Sequence, residues 1–290
     1  MPASSAALAP QIPNDLEAFW MPYTANRAYK KNPRMLARAK DMHYYTPEGR
    51  AILDATAGLW CANAGHNRQK IVAAQEQTMS LPTQFTAALQ QLPLIAILRG
   101  ITPAQAPAIG EALVHSGFAV LEIPLNSPQA LDSIGLLAHA YPRVMVGAGT
   151  VLSAARVRDV HAAGGQLVVA PNFDADVVRA ALQLGLACVP GILTPGEAFA
   201  ALAAGAHGLK LFPAEMASPA ALKALRAVLP ASARVFPVGG ITVGNMAPWL
   251  AAGANGFGIG SALYSPGKSV AAVREHALNF VAALQGAIRT

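Results

Sequence analysis

The sequence predicts an α/β fold, a (β/α)8 TIM barrel with an N-terminal extension, from three observations. From Leu94 onward, eight short runs rich in Val, Ile, Leu and Ala recur at spacings of about 21 to 26 residues. Longer Ala-rich stretches with a helical pattern separate them, and the runs are apolar throughout, as in parallel strands covered by helices. Eight such units in about 200 residues favour a closed barrel over an open doubly wound sheet, which is the alternative.

The elements follow from these runs and their flanking residues. The predicted strands are residues 94–100, 119–125, 144–151, 166–172, 187–192, 208–213, 234–240 and 256–261. Helix starts are predicted after Thr102-Pro103, Ser127-Pro128, Ser153, Asp174, Thr194-Pro195 and Ser218-Pro219, where a cap residue or an early proline suits a first turn. Helix ends are predicted at Gly117, Gly164, Gly185, Gly205 and Gly253, because glycine adopts the left-handed cap conformation.

Alternation along the strands predicts which side chains enter the barrel lumen. If Lys210 points inward, Gly208 and Phe212 share its face, and Leu209 and Leu211 pack outward. The other predicted inward sets are Ile95, Ile97 and Arg99; Val120, Glu122 and Pro124; Val146, Ala148 and Thr150; and Leu167, Val169 and Pro171.

Four of these positions are polar exceptions in apolar strands. Arg99, Glu122, Thr150 and Lys210 lie near the C-terminal ends of their strands, where the catalytic groups of this fold lie. The structural alternative is that they pair internally, for example as a Glu122–Lys210 ion pair that only fills space. Buried ion pairs of that kind rarely add stability, which favours a functional interpretation.

Lys210 is the strongest candidate for a nucleophile. It is one of three lysines after Leu94, and the other two, Lys223 and Lys268, fall in a helical pattern and after a turn. Burial among apolar neighbours disfavours the ammonium form, so the amine can form a Schiff base near neutral pH. The alternative is a lysine whose stem is buried and whose charged end reaches solvent.

Two glycine-rich turns follow the seventh and eighth predicted strands. These are the positions at which barrels commonly hold phosphate on backbone N–H groups. The predicted phosphate site consists of Gly239, Gly240, Gly260 and Ser261. Glycines also occur in ordinary tight turns. The prediction of a phosphate site therefore depends on the location of these turns after the seventh and eighth strands.

Together, these motifs resemble one enzyme family. AILRGI with Arg99, LEIPLNSP with Glu122, GAGTVL with Thr150, LKLFPAE with Lys210 and PVGGIT are similar, in this order, to the 2-keto-3-deoxy-6-phosphogluconate and 6-phosphogalactonate aldolases. The match runs from about Pro93 to the end. The segment 124–127, PLNS, replaces the Thr-Leu-Arg-Thr run that is usual in the gluconate branch. In this respect the sequence resembles the galactonate branch. The resemblance implies a (β/α)8 barrel and a homotrimer.

The resemblance also implies a mechanism and a site. Lys210 would attack the C2 ketone of a phosphorylated keto-deoxy sugar acid, and Glu122 would shuttle protons until pyruvate and glyceraldehyde 3-phosphate leave. Arg99 and Thr150 would hold the substrate carboxylate, and Asn126 is a hypothesis for recognition of a sugar hydroxyl. Pro171 and Phe212 complete the expected substrate-binding set. No metal or other cofactor is expected. A gluconate-specific aldolase and a non-catalytic phosphate-binding barrel are the alternatives.

The first part of the chain differs from the rest. Residues 1 to about 80 resemble the amino-terminal part of ω-amino acid:pyruvate aminotransferases, including Gly58-Leu59-Trp60-Cys61, but the large pyridoxal-phosphate domain has no counterpart. We therefore predict an aminotransferase-like fragment at 1–84, loosely ordered and without transaminase activity, and the aldolase barrel at 92–290. A working structural role for the fragment is the alternative.

Composition excludes several other classes. The chain has 290 residues, 53% of them hydrophobic, with a net charge of +6 and no concentrated basic tract, so nucleic-acid binding is not expected. Cys61 and Cys188 form no metal or disulfide motif. No secretory signal and no apolar run of about 20 residues is evident. We expect a cytoplasmic enzyme that does not bind membranes.

Overall fold

The computed structural model describes residues 38–40, 43–45, 49–53 and 80–289. The chain divides into two compact units, Met1–Met79 and Ser80–Thr290. In the first unit, the described residues form a small antiparallel sheet of three strands, β1 (Arg38–Lys40), β2 (His43–Tyr45) and β3 (Ala51–Leu53), with β2 in the centre. Most of the fragment predicted to be loosely ordered lies outside the described residues.

Among its described residues, the second unit contains nine strands, nine α-helices and one short 3-10 helix, Ala214–Met216. The strands are β4 (Leu94–Ile97), β5 (Val120–Pro124), β6 (Met145–Gly149), β7 (Leu167–Val169), β8 (Ala187–Val189), β9 (Gly191–Ile192), β10 (Leu209–Leu211), β11 (Val235–Pro237) and β12 (Phe257–Ile259). The helices are α1 (Leu81–Gln91), α2 (Ala106–His115), α3 (Ala130–Ala140), α4 (Ala154–Ala162), α5 (Ala175–Gln183), α6 (Pro195–Ala203), α7 (Pro219–Arg226), α8 (Met246–Ala251) and α9 (Val270–Arg289).

The nine strands form a closed parallel barrel. Six pair in the order β12-β4-β5-β6-β7-β8, and three pair in the order β11-β10-β9. The chain runs from β8 through Pro190 directly into β9, and a parallel bridge between Val238 and Gly258 joins β11 to β12. This closed ring of paired strands confirms the eight predicted strands, with the fifth divided at Pro190, and excludes the open doubly wound sheet.

The helix boundaries follow local capping chemistry. Ser153, Asp174, Thr194 and Ser218 cap α4 to α7 through their side-chain oxygens, as predicted. The starts predicted at Thr102-Pro103 and Ser127-Pro128 are wrong, because the chain first turns there and α2 and α3 begin several residues later. The five predicted glycine ends have φ between 71° and 98°, which confirms left-handed caps.

Helix α1 closes the N-terminal end of the barrel, and sequence patterning did not identify it. Phe85, Ala88 and Leu89 are buried in one cluster with lumen residues that include Val120 and Phe236. The rings of Phe85 and Phe236 meet edge to face with centroids 6.4 Å apart. Because the chemistry of this fold belongs to the opposite end, α1 serves the packing of the lumen.

The lumen faces of the strands agree with the prediction except in β6. Leu209 and Leu211 pack outward as predicted. In β6, however, Val146 and Ala148 belong to the outer core under the helices, whereas Met145 belongs to the lumen cluster. The predicted inward set Val146, Ala148 and Thr150 is therefore wrong for its first two members. Met145 is the one side chain that β6 places on the inward face, because glycines occupy the other inward positions, 147 and 149.

Candidate active site

Lys210 and Glu122 meet in the barrel lumen. Lys210 is the middle residue of β10, and Glu122 is the middle residue of β5, so the backbones of two strands fix both side chains. Their exposed fractions are 4% and 1%. Both line one small lumen cavity, whose other lining residues are Ile95, Ile97, Val169, Val189, Phe236, Val238 and Gly258. An amine and a carboxyl group thus face a common space with otherwise apolar walls.

Burial changes the protonation of both groups. It lowers the pKa of the Lys210 amine, with the Glu122 carboxylate opposing this change and the Arg99 cation reinforcing it. Burial also raises the pKa of Glu122, and the positive charges of Lys210 and Arg99 oppose it. The desolvated lumen therefore favours a neutral amine beside a protonated carboxyl group. That combination can attack a carbonyl and donate a proton to the resulting oxygen.

Glu122 has an unused acceptor. Within residues 80–289, its buried Oε2 has no hydrogen-bond partner, which is costly unless a ligand or water supplies one. Its Oε1 fills the space beside Gly149, where an added Cβ would lie only 1.2 Å from that oxygen. Because Gly149 has no side chain, the carboxyl group of Glu122 can occupy this space.

Lys210 is oriented by its neighbours. Its Nζ lies 4.5 Å from the ring centroid of Phe212, within the range of a cation–π contact when the amine is charged. Its backbone N–H donates to Pro190 O at 2.9 Å, which fixes the strand register. The predicted residues Phe212 and Pro171 are both half-buried and follow β10 and β7 at the C-terminal end of the barrel.

Arg99 and Asn126 lie together after β4 and β5. Arg99 Nη1 donates to Asn126 Oδ1 at 2.9 Å, and both side chains are exposed. The two loops are further joined because Gly100 N donates to Ser127 Oγ at 2.9 Å. The bond to Asn126 uses one guanidinium nitrogen and sets the direction of the group. Sequence patterning gave no indication of this pairing, since the residues are 27 positions apart.

Thr150 follows β6 with a left-handed backbone. Its φ is 56°, which is unusual for a β-branched residue, and its side chain is half-buried. Such strain costs on the order of 1–3 kcal/mol and is concentrated at functional sites. Because of this turn, strand alternation does not fix the direction of the Thr150 side chain.

The two predicted glycine turns follow β11 and β12. Gly239 and Gly240 have φ values of 110° and 62°, and the Glu215 carboxylate lies against them, with its Oε2 2.0 Å from a Cβ built on Gly239. Asn245 Nδ2 donates to Gly240 O at 2.8 Å and supports this turn. Around Gly260 a Cβ would meet only open space, and Ser261 is exposed. The Glu215 carboxylate thus occupies the space beside the first turn, whereas the space beside Gly260 is open.

Three further residues, Gly149, Asn245 and Lys268, support these groups but were not predicted as site residues. Gly149 was obscured by the misassigned face of β6, although it lies in the GAGT motif. Lys268 Nζ donates to backbone carbonyls of the turn after β12, and the sequence presented it only as a residue after a turn. In residues 80–289 and the described parts of the first unit, no group of three His, Cys, Asp or Glu side chains is arranged to hold a metal ion.

Fold and lumen together define a class of protein. A parallel (β/α)8 barrel with a desolvated lysine beside a carboxyl group is typical of enzymes that form a Schiff base with carbonyl substrates. The family model "Aldolase: KDPG and KHG aldolase" matches residues 85–275. The chain belongs to this aldolase family.

Individual relatives agree with that assignment. The 2-dehydro-3-deoxy-6-phosphogalactonate aldolase of Escherichia coli K12 is 47% identical over 200 residues, which cover 69% of this chain and 98% of that protein. A solved structure described as native KDPGal aligns with a TM-score of 0.68 and 47% identity, over 69% of this chain and 98% of that one. The predicted family, fold and lyase class are confirmed.

The N-terminal part matches a different protein. The Omega-aminotransferase of Caulobacter vibrioides is 59% identical over 69 residues, which cover 23% of this chain and 16% of that protein. This confirms the resemblance of the extension to a partial aminotransferase segment.

Among the described residues, no helix is long and apolar enough to cross a membrane.

Proposed function

We propose that this chain is a class I aldolase that cleaves 2-dehydro-3-deoxy-6-phosphogalactonate to pyruvate and glyceraldehyde 3-phosphate. The observation that carries this proposal is the pairing of Lys210 with Glu122 in one apolar lumen cavity. The identity of 47% to an enzyme named for this substrate supports the galactonate epimer.

In the proposed reaction, the neutral amine of Lys210 attacks the C2 ketone and forms a carbinolamine. Glu122, protonated because burial raises its pKa, donates a proton so that water leaves and a protonated imine remains. The imine accepts the electron pair of the C3–C4 bond while the Glu122 carboxylate takes the C4 hydroxyl proton. Glyceraldehyde 3-phosphate departs, Glu122 returns the proton to the enamine carbon, and water hydrolyses the imine to release pyruvate.

Binding groups at the C-terminal end of the barrel hold the two ends of the substrate. Arg99, oriented by its bond to Asn126, is assigned to the substrate carboxylate together with Thr150. Pro171 and Phe212 are assigned to the walls near the reacting carbons. The phosphate is assigned to the turns at Gly239–Gly240 and Gly260–Ser261, so that binding far from the reacting bond fixes its orientation.

Borohydride trapping tests the nucleophile. Wild-type protein incubated with pyruvate and borohydride should gain a stable adduct on the peptide that contains Lys210, as determined by mass spectrometry. Lys210→Ala should form no adduct, whereas Lys223→Ala, an exposed control on α7, should react like the wild type. An adduct at another lysine would contradict the proposal.

Substrate assays test the rest of the assignment. The galactonate and gluconate epimers are compared side by side, with lactate dehydrogenase reporting pyruvate release. A higher kcat/KM for the galactonate epimer is expected. A preference for the gluconate epimer would assign the chain to the gluconate-specific branch of the family. Binding of either epimer without turnover would identify a non-catalytic barrel.

The assembly, location and domain limits belong to the same proposal. We assign a homotrimer, supported by apolar side chains that the single chain leaves exposed, Leu152, Leu193 and Phe199 among them. Sedimentation equilibrium should give about three times the 29.9 kDa chain mass; a monomer would contradict it. We also assign the enzyme to the cytoplasm and propose that the aminotransferase-like fragment has no transaminase activity; its predicted limits, 1–84 against a barrel at 92–290, are corrected because α1 packs against the barrel lumen and the second unit begins at Ser80.

A further inference from the structure

The turn that follows β12 presents unpaired backbone donors. Leu263 N and Tyr264 N both donate to Gly260 O at 2.9 Å, which folds this segment into a single helical turn. Within residues 80–289, the N–H groups of Ser261 and Ala262 donate to no protein acceptor. They belong to the start of the turn, at the end of the barrel to which the phosphate is assigned.

One lysine holds the opposite end of this turn. Lys268 Nζ donates to Ser261 O at 2.8 Å and lies 3.4 Å from both Ala262 O and Leu263 O. It also lies 3.3 Å from His276 Nδ1 on α9, which must act as the acceptor because an ammonium group has only donors. Lys268 thus donates to Ser261 O and shares its remaining hydrogens among the next two carbonyls and His276 Nδ1. It does not line the cavity of Lys210 and Glu122, and the proposed reaction does not use it.

We propose that Lys268 is a positioning residue for the phosphate end of the substrate, an inference that rests on the proposed function. The ammonium group fixes Ser261 O, and because the peptide plane between Ser261 and Ala262 is rigid, it also fixes the unpaired Ala262 N–H on the other side of that plane. A positive charge at the carbonyl end of a helical turn is favourable and preserves its geometry. Lys268 therefore holds the Ala262 N–H ready to donate to an anion, and the neighbouring Ser261 N–H is held by the bonds that Gly260 O accepts from Leu263 and Tyr264.

The other glycine turn has a comparable support without a charge. Asn245 Nδ2 donates to Gly240 O at 2.8 Å, while Asn245 Oδ1 accepts from Thr242 N at 2.9 Å. Both turns assigned to phosphate are thus fixed through a carbonyl group by a side chain from the following segment. Lys268 differs because it contacts three carbonyls, so its loss should disturb its turn most.

The test compares substrates with and without the phosphate. In Lys268→Met, KM for the phosphorylated keto-deoxy acid should rise about five- to tenfold, with kcat within about twofold of the wild type. Binding of inorganic phosphate, measured by calorimetry, should weaken by a similar factor. Borohydride trapping of pyruvate and kcat/KM for the unphosphorylated keto-deoxy acid should stay unchanged, since neither ligand reaches the turn. Lys268→Arg should keep most of the wild-type affinity.

Matched variants separate this role from a purely structural one. Lys223→Met removes an exposed lysine on α7 and should change none of these values. If Lys268→Met does not fold, Lys268→Gln, which retains an amide donor, should fold and give an intermediate loss of phosphate affinity. Equal losses for the phosphorylated and unphosphorylated acids, or unchanged phosphate binding in a folded variant, would overturn the inference. Absence of pyruvate trapping in the wild type would instead refute the proposed function, and the calorimetric comparison would still decide the role of Lys268.

Discussion

The two ends of the barrel differ in the side chains that fill them. At the N-terminal end, α1 covers the lumen with the apolar side chains of Phe85, Ala88 and Leu89. Towards the C-terminal end, the lumen contains the ionisable pair Lys210 and Glu122, and Thr150 has a strained backbone. Within residues 80–289, buried oxygens without a partner occur in both halves, Gln166 Oε1 just before β7 and Glu122 Oε2, so the contrast is one of apolar packing against ionisable groups. This division indicates that the closed end supplies stability, whereas the open end carries the groups that bind and convert a substrate.

The largest effect should come from the open end. Lys210→Met preserves side-chain length but removes the nucleophile, so kcat should fall by at least about 10³-fold. Turnover of the purified variant and its circular dichroism spectrum are the measurements. The spectrum should match the wild type, because a methionine fits the apolar lumen. Loss of folding together with activity would mean that Lys210 also stabilises the barrel, and would break the proposed division between the ends.

Removal of the closed end should affect folding and not chemistry. A chain that begins at Ser80 keeps α1 and should retain the full kcat and the full thermal stability of the barrel unit. A chain that begins at Pro93 lacks the three buried side chains of α1, and the loss of their apolar burial should destabilise it by about 4–8 kcal/mol. Urea denaturation of both chains measures the difference. Equal stability would show that α1 is dispensable.

A single substitution gives a finer measure of the same end. Phe85→Ala leaves a cavity against Phe236 and should lower the free energy of unfolding by about 3–5 kcal/mol. Leu278→Ala, on a 48% exposed position of α9, should cost less than about 1 kcal/mol and serves as the control. Under conditions in which Phe85→Ala is folded, its kcat should equal that of the wild type. A reduced kcat would show that packing at the closed end affects the geometry of the active site.

The same contrast explains which features the sequence could predict. Lys210 and Glu122 could be identified because a polar side chain within an apolar strand is rare and its burial costs free energy, so the local sequence pattern was sufficient. The inward face of β6 was assigned wrongly because Thr150 was counted in phase with the strand, whereas its left-handed backbone ends the alternation, and Gly147 and Gly149 carry no side chain against that assignment. Helix α1 was missed because it lies where the resemblance changes from one family to another, although Leu81, Phe85 and Ala88 have helical spacing.

Contacts between distant loops were beyond what patterning could supply. The bond from Arg99 to Asn126 and the contacts of Lys268 depend on how separate segments meet in space. Eight strands were found because their number and order follow from local apolar runs. The orientation of a loop side chain depends on neighbours that only the folded chain brings close.

A smaller effect is expected at Gly149. In Gly149→Ala the new methyl group would occupy the place of Glu122 Oε1, so the carboxyl group has to rotate and proton transfer should slow. We expect kcat to fall about 10- to 100-fold, the range associated with misplaced general acid–base groups. Pre-steady-state release of pyruvate measures it. Gly135→Ala, where the nearest atom lies 3.4 Å from the added Cβ, is the control and should keep the wild-type rate.

The smallest effect should be a shift in the titration of Lys210. The Glu122 carboxylate favours the ammonium form and so raises the pKa of Lys210 against the larger effect of burial. At pH values at which Glu122 is ionised, Glu122→Gln removes that opposing charge, so the pKa of the amine should fall further and the neutral form should persist to lower pH. The rate of reductive methylation at Lys210, followed by peptide mass spectrometry across pH, reports the neutral fraction directly and does not require turnover.

The sign of this shift tests the electrostatic account of the open end. Because the ionised Glu122 favours the ammonium form, the acidic limb of the labelling profile should move to lower pH in Glu122→Gln. The exposed Lys223, labelled in the same reaction, should show an unchanged profile. An unchanged profile at Lys210 would mean that Glu122 stays protonated over this pH range, and a shift to higher pH would contradict the electrostatic account.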